Sequence, residues 1–308
     1  MPKLALKIDA DTYRGTLAGV PRLVDVLRRH GAGATFLFSL GPDHTGRAIK
    51  RAFRPGFMKK VSRTSVVSNY GVITLMYGTV LPGPDIGRRC ADILRGTRDA
   101  GFEVGIHCWD HVKWQDGIAD AGPDWAQAQM QKAVKRFEQV FGEAPRCHGA
   151  AGWQTSVHGL RLTQRLGFDY ASDTRGRGPF MPMWHGEIVR CPQLPTTLPT
   201  LDELIGVGDI TAENVDEHLL RLTAGGGGDQ VFTLHAELEG MKLSAVFERL
   251  LAGWQAQGYE LVPLRALAES LDLASLPRCE VLRGELPGRS GTLMVQGPEF
   301  LSEYQEAA

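Results

Sequence analysis

Short apolar runs rich in β-branched residues alternate with segments of helical period along most of the 308 residues, and this alternation constrains the fold more than any single motif. Residues 4–11 read as a strand, 17–30 have helical spacing with Gly31 placed as a stop, and 34–39 are strand-like again. Parallel strands need a helical crossover, so these three segments form one β-α-β unit. Further helices are expected at 86–100, 124–141, 156–166, 212–222, 242–257 and 264–271. Further strands are expected at 102–106, 146–150, 168–172, 187–191, 231–235 and 259–262. Strands alternating with helices, about seven of them, imply an α/β fold in which a parallel sheet curls into a distorted (β/α) barrel. The barrel is expected to occupy residues 1–274. A long insertion at 41–85 follows the second strand, and a Gly- and Pro-punctuated tail runs from 275 to 308. The run Gly225 to Gly228 precedes a strand rather than opening a helix, which makes it a flexible connector and not a phosphate cradle.

Candidate chemistry gathers at the C-terminal ends of these strands, where barrel active sites are built. Residues two apart on a strand face one way, so Asp9 and Asp11 present both carboxylates to one side. Asp-x-Asp alone is common, and solvated carboxylates at a strand end are the competing reading. His107 follows the apolar run 102–106, and its spacing to His111 brings two imidazoles together if the chain turns helically after the strand. Two His and one carboxylate leave coordination positions open for water and substrate. Val231-Phe232-Thr233-Leu234-His235 delivers a third imidazole at another strand end; a satisfied core histidine is the alternative there. A metal held by Asp11, His107 and His111 would polarise a carbonyl and lower the pKa of a water toward ~7. Asp9 would then take the water's proton, and His235 would give one to a departing amine.

Composition removes several function classes. A formal net charge of -1 supplies no global drive toward nucleic acid, so an anionic partner must be met by a local patch. Five cysteines, odd in number and with no C-x-x-C pair, argue against a disulfide framework or a structural zinc knot and fit a reduced compartment. No apolar run is long enough to span a bilayer and no leader pattern opens the chain, so a cytoplasmic-side location without a transmembrane segment is expected.

Taken together, Asp9-Ala10-Asp11-Thr12-Tyr13-Arg14-Gly15-Thr16, His107-Cys108-Trp109-Asp110-His111, Ala150-Ala151-Gly152-Trp153, Ser172-Asp173-Thr174-Arg175-Gly176 and Leu234-His235-Ala236-Glu237 resemble the motifs of the polysaccharide deacetylase family. The resemblance covers residues 3–270. It is narrowest to the branch that removes a formyl group from 4-deoxy-4-formamido-L-arabinose carried on undecaprenyl phosphate, a step in lipid A modification and polymyxin resistance. It implies Asp9 as base, Asp11, His107 and His111 as ligands of a divalent metal (zinc, manganese, iron or cobalt), and His235 as acid. Arg14, Trp109, His148, Trp153, Asp173 and Arg175 would support or line the site. The wider family sets an Arg four residues before a motif glycine to hold the base. Aligned on Gly152, that position is His148, so the base needs another partner, and Arg175 and His148 itself are candidates. An N-deacetylase of another amino sugar, or a non-catalytic metal-dependent sugar-binding module, remains as an alternative, although the second does not require His107, His111 and His235 together.

Between Asp43 and Asp85 the insertion has no acidic residue, but it carries Arg47, Lys50, Arg51, Arg54, Lys59, Lys60 and Arg63 among apolar Phe53, Phe57, Met58 and Val61. Such a segment is expected to bind an anionic inner-membrane surface peripherally and to contact a lipid-linked substrate. The competing reading is a solvated basic face whose apolar residues pack on the barrel.

Overall fold

The computed structural model describes residues 1–48, 71–225 and 227–300. Seven strands form one sheet among them: β1 (Lys3–Ala10), β2 (Thr35–Ser39), β3 (Glu103–Cys108), β4 (Cys147–His148), β5 (Tyr170–Ala171), β8 (Gln230–His235) and β9 (Glu260–Val262). Their order is β5-β4-β3-β2-β1-β8, every pairing is parallel, and β9 pairs with the first residues of β1 below β2. Intervening helices, chiefly Val20–Arg29, Ala91–Asp99, Pro123–Phe141, Val157–Arg165, Val215–Thr223 and Ser244–Ala256, cover the outer face. Strand alternation divides the buried residues into two layers. Leu4, Leu6, Ile8 and Ala10 meet Val20, Leu23, Val26 and Leu27 outside, while Ala5, Leu37, Cys147, Tyr170, Leu194, Val231 and Val262 pack inside. β1 is buried on both faces, as a central parallel strand should be.

The barrel is closed by an irregular segment and not by a strand. Leu194 N–H donates to Ala171 O on the β5 side, Ala171 N–H donates to Pro192 O, and Thr197 and Leu198 N–H both donate to Val231 O of β8. This stretch contains Pro192, Pro195 and Pro199, which lack the N–H a ladder needs. The strand expected at 187–191 is therefore a correction. Only Glu187–Ile188 is strand (β7), and it turns back antiparallel on β6 (Met181–Trp184) through His185 and Gly186, whose φ values of 49° and 84° are those of a two-residue hairpin turn.

The Gly- and Pro-punctuated tail, to which the sequence assigns no element, contains β10 (Arg278–Gly284) and β11 (Leu293–Glu299), which complete a second sheet in the order β11-β10-β6-β7. Arg175 N–H donates to Met294 O, and Gln296 N–H donates to Arg175 O, so this hairpin is laced to the barrel. The insertion leaves and re-enters at one point. Pro42 bridges Asp85, Asp43 N–H donates to Pro84 O, and Ile86 N–H donates to Gly41 O.

Two single turns of π-helix, Gly15–Gly19 and Leu238–Lys242, follow the β1 and β8 motifs directly. They touch through glycines: a Cβ on Gly240 would lie 2.7 Å from Gly19 Cα. Wide turns of this kind concentrate at functional sites.

Candidate metal centre

Asp9 and His235 are register partners on β1 and β8, which sets two titratable groups side by side at adjacent strand ends. Asp11 lies one step beyond β1. His107 is on β3, and His111 is the first residue of the helix His111–Gly117, for which the Asp110 side chain accepts the Lys113 N–H as N-cap. The imidazole pair thus arises differently from the expected helical turn. Asp110 is extended (φ −139°), and the rings meet across a strand-to-helix corner with centroids 5.3 Å apart.

Asp11 stands between the two rings, its Oδ1 at 3.2 Å from His107 Nε2 and its Oδ2 at 3.4 Å from His111 Nε2. One ligand atom from each of the three lies within 4.8 Å of the others. Two features of the set fit a divalent cation. The His107 Nδ1 is 2.7 Å from Gly149 O, so it holds the proton and turns the Nε2 lone pair toward Asp11. Asp11 Oδ1 is buried with no hydrogen-bond partner among the described residues. Burial alone would raise the Asp11 carboxyl, but the His111 and His107 imidazoles beside it hold it well below the usual carboxylate range. Burial opposes protonation of His107, yet Asp9 and Asp11 raise it overall. Such a set favours a cation at its centre.

Around this cluster lies a shell of acidic groups. Glu237 Oε1 accepts from Asp11 N–H (3.1 Å), Thr12 N–H (2.8 Å) and Thr12 Oγ1 (2.7 Å). A Cβ on Gly15 would fall 2.0 Å from that oxygen, which explains the glycine in the first motif. Burial, reinforced by the Asp11 charge, pushes the Glu237 carboxyl up to about 8. Glu239 Oε2 accepts the His235 N–H at 2.8 Å, and burial lifts this acid to about 7 against the pull of His235. Burial lowers His235 itself, but Asp202, Asp11, Glu239 and Asp9 together raise its pKa.

The remaining expected residues are dispersed. His148 Nδ1 pairs with Asp173 Oδ1 at 2.7 Å, Asp173 also accepts the Ala150 N–H, and both side chains are wholly buried. Arg175 is clamped on both Glu203 oxygens at 2.7 and 2.9 Å, so neither candidate partner for the base is directed at Asp9. Buried Trp153 donates from Nε1 to Thr196 Oγ1 and is ringed by Lys7, Arg175 and Arg289 cations. Its φ of 53° is unusual for a large side chain. Trp109 packs under the Arg136 guanidinium and against Gly41. Arg14 lies against Gly71, where the described residues resume within the insertion. Arg47 is exposed and donates to Gly78 O, whereas Lys50, Arg51, Arg54, Lys59, Lys60 and Arg63 lie outside the described residues. Sequence reasoning gave no role to Lys7, Glu237, Glu239 or Glu203. For Lys7 a signal existed, because it shares the strand face of Asp9 and Asp11.

Comparison with known proteins identifies the family. Residues 3–171 match the polysaccharide deacetylase family. The chain is similar to a Shewanella sediminis protein named as a 4-deoxy-4-formamido-L-arabinose-phosphoundecaprenol deformylase, with 39% identity over 294 residues covering 96% of this chain and 94% of that one. A protein of the same name from Wigglesworthia glossinidia brevipalpis is 30% identical over 283 residues, covering 92% and 98%. Among solved structures, one from Mycobacterium smegmatis named as a polysaccharide deacetylase superposes with a TM-score of 0.60 at 18% identity, covering 92% of this chain and 96% of that one. One of the same kind from Pseudomonas aeruginosa gives 0.56 at 15%, covering 87% and 90%. At those identities the fold is what is shared.

Proposed function

The chain belongs to the polysaccharide deacetylase family, and on that premise we propose that it is a metal-dependent deformylase. It hydrolyses the formamide of 4-deoxy-4-formamido-L-arabinose-phosphoundecaprenol to the free amine and formate, the step that serves aminoarabinose modification of lipid A and polymyxin resistance. The observation that carries this reading is the convergence of Asp11, His107 and His111, with ligand atoms within 4.8 Å of one another, beside the register pair Asp9 and His235. Two relatives named for this reaction, each matched along nearly its whole length, support the substrate.

A divalent cation at the three ligands would polarise the formyl carbonyl and lower the pKa of a water toward ~7. Two imidazoles and a carboxylate suit zinc, manganese, iron or cobalt. Asp9 Oδ1 is buried and has no hydrogen-bond partner among the described residues, which suits an acceptor for the proton of the attacking water. That water's oxygen bonds to the formyl carbon. His235, whose pKa its acidic neighbours raise against burial, donates to the nitrogen as the C–N bond breaks, and formate departs.

A lipid-linked sugar must be met at the membrane. No helix among the described residues is long and apolar enough to cross one, so binding would be peripheral. At the described end of the insertion Val72, Ile73 and Val80 are each more than 60% exposed, an apolar group that follows the basic run from Arg47 to Arg63 in the sequence. Each cation near an anionic leaflet contributes ~1 kcal/mol, so several together hold the barrel mouth on the surface. Mass spectrometry of the formamido-arabinose lipid incubated with metal-loaded protein tests the reading. Loss of the formyl mass with release of formate is expected. An untouched formamide, or faster cleavage of an acetamido analogue, refutes it.

A further inference from the structure

Lys7 is a charged side chain with no exposure at all, enclosed by the barrel two residues before Asp9 on the same face of β1. Desolvating an ammonium is expensive unless something offsets it, and the surroundings identify what does. The Nζ donates to Ser172 O at 2.9 Å, lies 3.7 Å from Asp9 Oδ2 and sits 5.2 Å from the centre of the Trp153 ring. Gly149 makes room for the stem: a Cβ there would come within 3.1 Å of Lys7 Cε. Other basic side chains near the interior have separate partners, Arg175 on Glu203 and His148 on Asp173. Burial leaves the Lys7 pKa below its ordinary value, and Asp9 foremost, then Asp173, oppose that shift.

The two oxygens of Asp9 are therefore unequal. Oδ2 faces the ammonium, while Oδ1, 3.8 Å from His107 Nδ1, has no hydrogen-bond partner among the described residues. Resting on the reading of Asp9 as base, we infer that Lys7 is the positioning residue that holds Asp9 from inside the barrel, tying one oxygen so that the other is presented to the attacking water. A purely structural lysine would be a poor choice at this place, because methionine fills the same space without a charge to desolvate.

A double-mutant cycle tests this on the full-length, metal-saturated protein, with Lys7→Met, Asp9→Asn and the double variant assayed for formate release. Lys7→Met should bind Co²⁺ as the wild type does and leave KM unchanged. Its kcat should fall by ~100-fold, the usual penalty for a misplaced reacting group. In the Asp9→Asn background, where the group it positions is gone, the same change should alter the residual rate by no more than about twofold. A structural role predicts an equal factor in both backgrounds together with weaker Co²⁺ binding, and that result overturns the inference. Full kcat in Lys7→Met overturns it too. Should Lys7→Met fold poorly, Lys7→Gln, which keeps a donor and loses the charge, is read by the same cycle. Full turnover in Asp9→Asn would remove the base itself, whereas an inactive Asp9→Asn beside a fully active Lys7→Met would remove only Lys7.

Discussion

Removing Glu237 probes how the metal centre is supported, because one carboxylate oxygen there satisfies three donors. Glu237→Ala would leave the Asp11 N–H, the Thr12 N–H and the Thr12 hydroxyl without their acceptor in a buried place. At about 1–3 kcal/mol per abandoned donor, with water recovering part, the loss is about 3–6 kcal/mol. That is a large share of the roughly 5–15 kcal/mol by which a domain is stable. Asp11 would also lose the contact that orients its backbone, and an outer-shell loss of this kind weakens metal affinity by ~10–100-fold. Glu237→Gln separates acceptor from charge. Since the buried acid is lifted to about 8, it is mostly protonated at pH 6, and the amide keeps Oε1 in place. The expected destabilisation is then within about 1 kcal/mol. Denaturant unfolding at pH 6, with and without added zinc, together with metal titration of both variants, measures each quantity. If Glu237→Ala unfolds at the wild-type midpoint and binds metal as tightly, the three hydrogen bonds have no energetic weight. Equal damage from both variants would show that the charge matters and the acceptor does not.

Asp9→Asn should retain metal and lose nearly all turnover, while His235→Ala should slow amine expulsion by ~10²–10⁴-fold; loss of metal from Asp9→Asn would show the roles of Asp9 and Asp11 to be reversed. Chelation should abolish formate release and a divalent metal should restore it, an outcome contradicted by full turnover in excess chelator. Replacing Lys59, Lys60 and Arg63 with Glu should weaken binding to anionic vesicles and impair activity on the lipid substrate far more than on a short-chain soluble analogue; equal loss on both assigns the segment a structural role. The metal-free protein should lose stability as pH rises from about 4.5 to about 8. Glu237 and Glu239, raised from 4.5 to about 8 and about 7, keep protons in the native state that the unfolded chain has released, and raised His235 acts in the same sense. Glu239→Gln should flatten that slope, measured as the denaturant midpoint against pH.

Where the chain is strongly periodic, sequence and structure agree. The helix expected at 124–141 is Pro123–Phe141, ended by Gly142 at φ 75°, and the strand expected at 231–235 is Gln230–His235. Both carry a full repeat and a recognisable stop. The segment that closes the barrel was illegible because its prolines break up the ladder into isolated bridges, such as Ala171 with Gln193 and Arg175 with Thr196, so no strand period marks it in the sequence. The β6–β7 hairpin did leave a trace in His185-Gly186, but a non-glycine residue at the first positive-φ turn position gives a weaker signal than Asn-Gly or Gly-Gly would. At the site, the ligand residues stood out because acids and imidazoles at apolar strand ends are chemically out of place. Lys7 escaped notice for the opposite reason. A lone cation in an apolar strand suggests a solvent-facing position, and only three-dimensional closure reveals that the solvent side of β1 is the inside of a barrel.

The pinned base of the insertion has a consequence for how such a protein can change. With Pro42 and Asp85 bridged, the chain departs from the barrel and rejoins it at almost the same place. The two ends are already held together, so lengthening or exchanging what lies between adds only a slowly growing loop-closure entropy, about 0.6 kcal/mol per doubling of length. The hydrolytic machinery and the segment that would meet the lipid are thereby inherited as separable parts. One can be rewritten for a different carrier while the other goes on cleaving the same bond.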